Sequence, residues 1–218
     1  MNTLFKPYTF KHGAVMRNHF ALAPMTTYAS NPDLTLSEEE EVYYSSRAKE
    51  FGMIITAATA VSKNAQAFQN QISIRDERYL GSMKRLAKAI KKEGSLAIIQ
   101  LHHGGRMNQP NLYPNQDIVG PSEIKAERDY TVVPRKLRTS EVYDIIDEFC
   151  NATRIAIRAG FDGVELHGAN TYLLQQFFSP SSNQRDDEFG GTVENRLRFP
   201  ITLVERVLAV KEKYADPS

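Results

Sequence analysis

Short apolar runs alternate with longer amphipathic stretches along this 218-residue chain, and that alternation restricts it to strand–helix units around a parallel sheet. Strand signals fall near His19–Ala23, Met53–Ala57, Leu96–Leu101 and Gly163–His167. Between them, helices are expected over Ser37–Phe51, opened by Ser37 and Glu40 as a capping box, over Asp76–Glu93, and over Ser140–Ala159, closed by Gly160. A fourth is expected from about Thr192 to Tyr214. The stretch Asn108–Arg138, with Pro110, Pro114, Pro121 and Pro134, is too long for a simple connection and reads as a functional excursion or a small hairpin. No internal repeat or low-complexity tract interrupts the pattern, so residues 1–218 read as one domain.

Charge and composition exclude several classes of function. With 27 basic against 26 acidic residues, nothing favours a nucleic acid or a membrane surface. Met1–Phe10 contains Lys6 and Pro7 and lacks the apolar core of a signal peptide, and no apolar run approaches the roughly 20 residues of a membrane span. A cytoplasmic protein is expected. Cys150 is the only cysteine, so no intrachain disulfide forms, and its place in a helical stretch reads as a core thiol rather than a nucleophile. The glycosylation sequon Asn151-Ala152-Thr153 reads as a chance match in a cytosolic helix.

The richest chemistry follows the fourth strand signal. Side chains alternate along a strand, so Gly163, Glu165 and His167 share one face while Val164 and Leu166 share the other. If the apolar pair faces the surrounding helices, His167 points inward at the carboxyl end of the strand, where α/β barrels keep their active sites. Asn170 and Tyr172 follow closely, so hydrogen-bonding groups and a phenol converge there. No Ser or Cys nucleophile has a matched base nearby, and no second His stands at ligand spacing such as H-E-x-x-H, so no metal is expected. His102 and His103 are adjacent on a strand and face opposite ways, which does not suit one shared ion; one of them reads as structural or adjacent to the site. Glu165 faces the interior and needs a partner, for which a core salt bridge is the preferred reading. Arg185, Asp186, Asp187, Glu188, Arg196 and Arg198 read as an ion-pair and turn network, and Phe177, Phe178 and Phe199 as core.

Several segments, in order, carry a resemblance. FFSPSSNQRDDEFGGTVENRLRF from Phe177 to Phe199, Leu4-Phe5-Lys6-Pro7, Arg17 to Thr26, Ala57-Ala58-Thr59-Ala60-Val61 and Gln100 to Arg106 together resemble the Old Yellow Enzyme family of FMN-dependent NAD(P)H oxidoreductases. The resemblance runs the whole chain. It implies a TIM (β/α)8 barrel of the FMN-linked oxidoreductase type, with a hairpin over residues 1–18 and the excursion of about 108–138 after the third strand. Four strands occupy about 167 residues, so eight would need well over ~300, and only about the first four βα units are expected here. The absent half would bring the phosphate-binding loops after strands 7 and 8 and an arginine on the fifth strand. Two open parallel edges would remain, which suits a homo-oligomer or a complementing C-terminal half as partner.

The resemblance also implies a chemistry: FMN is reduced by NADH or NADPH and passes a hydride to the C=C bond of an α,β-unsaturated carbonyl or related activated alkene. His167 and Asn170 are expected to bind the substrate oxygen and stabilise the developing enolate charge. Tyr172 is expected to give the proton to the α-carbon. For the flavin, Thr26 is expected at a ring carbonyl, Ala23, Pro24 and Met25 along the ring through backbone atoms, Ala58 against it, and Gln100 at its pyrimidine edge, where an amide offers both donor and acceptor. Tyr28 resembles a substrate-contacting tyrosine found in part of the family. The alternative is a truncated, non-catalytic remnant or interaction module that keeps the motifs but cannot hold FMN alone.

Overall fold

The computed structural model describes residues 3–113, 115 and 117–214. Pro114 of the excursion, the first two residues of the expected hairpin and Ala215–Ser218 lie outside the described residues. A short antiparallel pair, β1 (Tyr8–Thr9) and β2 (Val15–Met16), leads into β3 (Ala21–Leu22), α1 (Glu38–Arg47), β4 (Met53–Ile55) and β5 (Thr59–Ala60). Then follow α2 (Leu80–Lys91), β6 (Leu96–His102), β7 (Val119–Gly120), β8 (Arg135–Lys136), α3 (Thr139–Ala159), β9 (Gly163–Leu166), α4 (Leu173–Phe178) and α5 (Val193–Tyr214).

The main sheet is parallel throughout, in the spatial order β3, then β4 and β5 in one line, then β6 and β9. This is the first half of a barrel, with α1, α2, α3 and α5 as the helices of its units. Among the described residues β3 pairs only with β4 and β9 only with β6. All four residues of β9 are half-exposed, whereas a strand inside a parallel sheet is covered on both faces. Beside β9 a groove of about 460 Å³ opens between α3 and α5, lined by Ile157, Phe161, Val164 and Leu208.

The second strand is broken where Met53–Ala57 was expected to run continuously. Ile55 pairs with Ile98 and Thr59 with Leu101, so residues 56–58 face only two residues of β6. The extra residue is absorbed by local bonds: Ala57 N donates to Tyr44 Oη at 2.8 Å, and Thr59 Oγ1 to Ala57 O at 3.0 Å. Sequence periodicity does not report such a bulge, because its partners come from α1 and from its own turn.

Helices α3 and α5 follow their signals to within one residue at each end, while α1 ends at Arg47 rather than at the expected Phe51. Gly160 closes α3 in the left-handed conformation, φ 91°, which a residue without Cβ adopts freely. Ser37 caps α1 by accepting from Glu40 N at 3.1 Å, but the return bond of a capping box is missing because the Glu40 carboxylate is used elsewhere. The expected helix from Asp76 opens as a 3-10 turn, Glu77–Tyr79, before α2. The six-residue α4 was not expected as a separate element.

The excursion is not a hairpin. β7 and β8 pair in parallel, Val119 with Arg135, so the chain between them must cross over rather than turn back. Arg185 is buried under it and donates to Pro121 O at 3.0 Å and Leu137 O at 2.6 Å, while Asp187 neutralises its charge at 2.9 Å. This is the ion-pair and turn role expected for the segment. The core lies between sheet and helices, with Tyr44, Phe149, Phe177, Phe199, Ile54 and Leu86 fully buried. Each such side chain contributes about 1.5–3 kcal/mol. Cys150 is buried in α3, and no helix among the described residues is long and apolar enough to cross a membrane.

Candidate active site

The carboxyl ends of the parallel strands converge on one cavity of about 520 Å³. The loop after β3 contributes Pro24 and Thr26, the bulge between β4 and β5 contributes Ala58, and β6 contributes Gln100. Glu165 reaches it from β9, His167 from the residue just after that strand, and Asn170 and Tyr172 from the turn before α4. Seven of the residues expected at the site thus share one cavity. Ala23, Met25 and Tyr28 do not line it: Ala23 is exposed, Met25 borders a smaller cavity of about 200 Å³ beside Tyr43, and Tyr28 lies edge-on to Phe68 at 5.6 Å.

Two polar residues brace these walls. Buried Glu40 accepts from Thr27 Oγ1 at 2.5 Å and Ser30 Oγ at 2.6 Å, pinning the loop that carries Thr26. On the opposite side, Asn170 and Thr171 both adopt left-handed backbone, φ 55° and 66°, each at a cost of about 1–3 kcal/mol. Gln176 offsets part of that: its Nε2 donates to Thr171 O at 2.7 Å and Gly104 O at 3.0 Å, and its Oε1 accepts from Arg106 N at 3.1 Å.

Within the cavity, the side chains of His167, Asn170 and Tyr172 have no hydrogen-bond partner among the described residues, and their polar atoms are free for a ligand. The His167 ring stands 5.0 Å from Tyr172 and 5.5 Å from His102. Burial pushes its pKa below the usual imidazole range, against the pull of Glu165, so the ring is neutral at physiological pH. Burial pushes the Tyr172 phenol up to about 12, with Tyr130 and Tyr28 acting the same way and Arg128 opposing, so it keeps its proton.

Among the described residues Glu165 is in no salt bridge, contrary to expectation. β6 and β9 pair Gln100 with Glu165 side by side, and Gln100 Nε2 donates to Glu165 Oε1 at 2.6 Å. The Gln100 Oε1 makes no hydrogen bond among the described residues and remains an acceptor at the cavity floor. His103 turns away and accepts from Gly105 N at 3.0 Å; burial lowers its pKa to about 3, which makes it structural. No group of three metal-ligating side chains occurs among the described residues. Phe68, which sequence reasoning missed, forms the far wall against Tyr28, His102 and Tyr172. It belongs to an irregular segment without periodicity, and no sequence signal marks it.

Comparisons with known proteins give the family of the chain. The profile of the NADH:flavin oxidoreductase / NADH oxidase family matches residues 3–213. The chain is 47% identical over 212 residues to the probable NADH-dependent flavin oxidoreductase YqiG of Bacillus subtilis (strain 168), covering 97% of this chain and 56% of that protein. It is 43% identical over 213 residues to the NADH:fumarate oxidoreductase of Klebsiella pneumoniae (strain 342), covering 98% of this chain and 23% of that one. Among solved structures, morphinone reductase superposes with a TM-score of 0.88 at 32% identity, over 95% of this chain and 59% of that chain. The old yellow enzyme homologue from Zymomonas mobilis gives 0.89 at 32%, over 98% and 61%. The chain therefore spans little more than half the length of the B. subtilis relative and of these structures, and it belongs to the NADH:flavin oxidoreductase / NADH oxidase family, with the Old Yellow Enzyme homologues.

Proposed function

We propose that this chain forms the substrate wall and part of the flavin site of an FMN-dependent reductase that uses NADH or NADPH to reduce the C=C bond of α,β-unsaturated carbonyl compounds or related activated alkenes. The observation that carries the reading is the set of unengaged polar groups on His167, Asn170 and Tyr172, on one wall of the cavity that Gln100 and Thr26 also line.

The residues present fit a flavin. A pyrimidine edge needs an acceptor for its imide N–H, and Gln100 Oε1 is such an acceptor on a side chain only 4% exposed. Thr26 brings a hydroxyl with no hydrogen bond among the described residues, Ala58 a small contact, and Ala23, Pro24 and Met25 the loop backbone alongside. Bound FMN supplies hydride exchange between a nicotinamide and an alkene. The remaining duties fall to this chain. Neutral His167 and the Asn170 amide hold the substrate oxygen and stabilise its negative charge. Tyr172 holds the proton destined for the α-carbon, and Tyr28 closes the substrate side beyond Phe68.

Residues 1–218 act in this reading as a single N-terminal half-barrel unit, located in the cytoplasm, where the Cys150 thiol stays reduced. The half-exposed β9 favours a second reading, in which the chain is a non-catalytic interaction module until a second copy or a complementing C-terminal half covers that edge. An FMN titration of the 218-residue chain, followed by flavin fluorescence quenching with light scattering on the same samples, separates the two. Saturable quenching supports the reductase reading, with the scattering mass showing whether self-association completes the site. Absence of quenching at any assembly state supports the module.

A further inference from the structure

Behind the cavity wall, the loop after β5 and the end of β6 hold a buried arrangement that the proposed reaction leaves without a role. Gln71 is only 2% exposed, and its Oε1 accepts from Ala67 N at 2.8 Å and Phe68 N at 3.2 Å. Only a carbonyl oxygen accepts two N–H groups, so the amide orientation is fixed by its partners. Nε2 therefore donates, to Ala58 O at 2.9 Å and to Nδ1 of His102 at 3.1 Å. A ring nitrogen that accepts carries no proton, so the neutral His102 ring holds its proton on Nε2. That Nε2 is buried and has no hydrogen-bond partner among the described residues. The nearest ring is Tyr172, 4.5 Å between centroids and at 79°, while Phe68 stacks at 6.2 Å and His167 stands at 5.5 Å.

We propose that the Nε2–H of His102 donates to the face of the Tyr172 ring, and that Gln71 and His102 form a positioning pair that holds this phenol and favours its ionised form. A T-shaped contact at this separation lets an N–H on the edge of one ring meet the face of the other. The contact gives a buried donor its missing partner, and a buried donor left bare is costly. It also places a positive hydrogen beside a ring that becomes electron-rich when the phenol gives up its proton, opposing the burial that holds the proton on. His102 is no proton relay: burial, reinforced by His167 and His103, keeps its pKa well below the usual range, and the ring stays neutral. The use of the phenol as a proton donor rests on the function proposed above; the tautomer and the ring contact do not.

The test is side-chain ¹⁵N and ¹H NMR of the 218-residue chain. His102 is expected to show a pyrrole-like Nε2 and a pyridine-like Nδ1, unchanged between about pH 6 and 9, with the Nε2 proton displaced upfield by a ring current. The opposite tautomer, or titration in that window, overturns the pair. Tyr172→Leu should return the proton downfield, and an unmoved resonance overturns the ring contact. Gln71→Glu keeps an acceptor for Ala67 and Phe68 but removes the donor, and should move the His102 proton to Nδ1. His102→Phe keeps a ring in place without the N–H. With 3-fluorotyrosine at position 172 read by ¹⁹F, the phenol in that variant should be a roughly three- to tenfold weaker acid. Equal acidity overturns the stabilisation of the ionised phenol. Failure of enone reduction with these signals intact would remove the proposed function and leave the pair standing.

Discussion

The carboxylate of Glu40, buried at the start of α1, accepts a 2.6 Å hydrogen bond from the hydroxyl of Ser30, ten residues earlier in the chain. A second bond from Thr27 completes a clamp on the loop that carries Pro24 and Thr26 into the cavity. Hydrogen bonds to a charged group are worth more than neutral ones, so Glu40→Ala should cost about 3 kcal/mol. Urea denaturation measures the loss, and amide exchange should accelerate over residues 25–30. Unchanged exchange there would show that the clamp does not order the loop.

His167→Ala removes a free donor from the cavity wall without touching Gln100 or Thr26. Under the proposed function it should leave FMN affinity unchanged, weaken phenolic ligand binding, and raise the barrier to enone reduction by about 3 kcal/mol, roughly a hundredfold in kcat. Enone turnover at the parent rate would sink the assignment. Tyr172→Phe should spare flavin reduction by NAD(P)H and slow only the half-reaction with the alkene, as stopped-flow absorbance would show. Equal slowing of both halves would contradict the proton-donor role.

Three imidazoles make the fold sensitive to acid. Burial holds His102, His103 and His167 below the ordinary value, His103 at about 3. Between each folded value and about 6.5 the unfolded chain binds the proton that the folded chain refuses, so stability is present above the unfolded value and is lost as pH falls. The slope reaches about 1.4 kcal/mol per pH unit for each such ring. The urea midpoint should therefore drop between about pH 7 and 5, and His103→Gln should flatten the dependence. A midpoint indifferent to pH would mean that the rings are not protected from protons.

Gly105 is confined by both backbone and packing. Its φ is +60°, and a Cβ would stand 2.2 Å from Gln176 Oε1, the atom that accepts from Arg106 N. Gly105→Ala should cost about 2 kcal/mol in thermal or urea unfolding. Because Gln176 also holds Thr171, ligand affinity at the cavity should fall in the same variant. A destabilised protein with full affinity would uncouple the two.

The sequence disclosed what periodicity and end signals encode. α3 with its Gly160 stop and the inward face of Glu165 and His167 at the end of β9 follow directly from residue spacing. The family resemblance was not needed for these elements, but it supplied the barrel type and the cavity membership of Pro24, Thr26, Ala58 and Gln100. What stayed hidden depends on partners distant in sequence. The bulge at residues 56–58 is set by Tyr44, the Glu40 carboxylate is drawn from its cap by Thr27 and Ser30, and Glu165 meets Gln100 through strand register rather than charge. Phe68 and Gln71 sit in an irregular loop whose shape exists only once β5 and β6 are paired.

The left-handed turn at Asn170 and Thr171 gives mutational tests of this wall a built-in ambiguity. Asn is among the few residues with a Cβ that tolerate positive φ, so position 170 asks for a backbone conformer and a side-chain amide at once. Asn170→Ala loses both, and under the proposed function its kinetic defect would mix a missing ligand contact with a rearranged turn. Asn170→Gly loses the amide alone. The difference between the two variants isolates the conformational share, and the glycine variant against the parent isolates the chemistry.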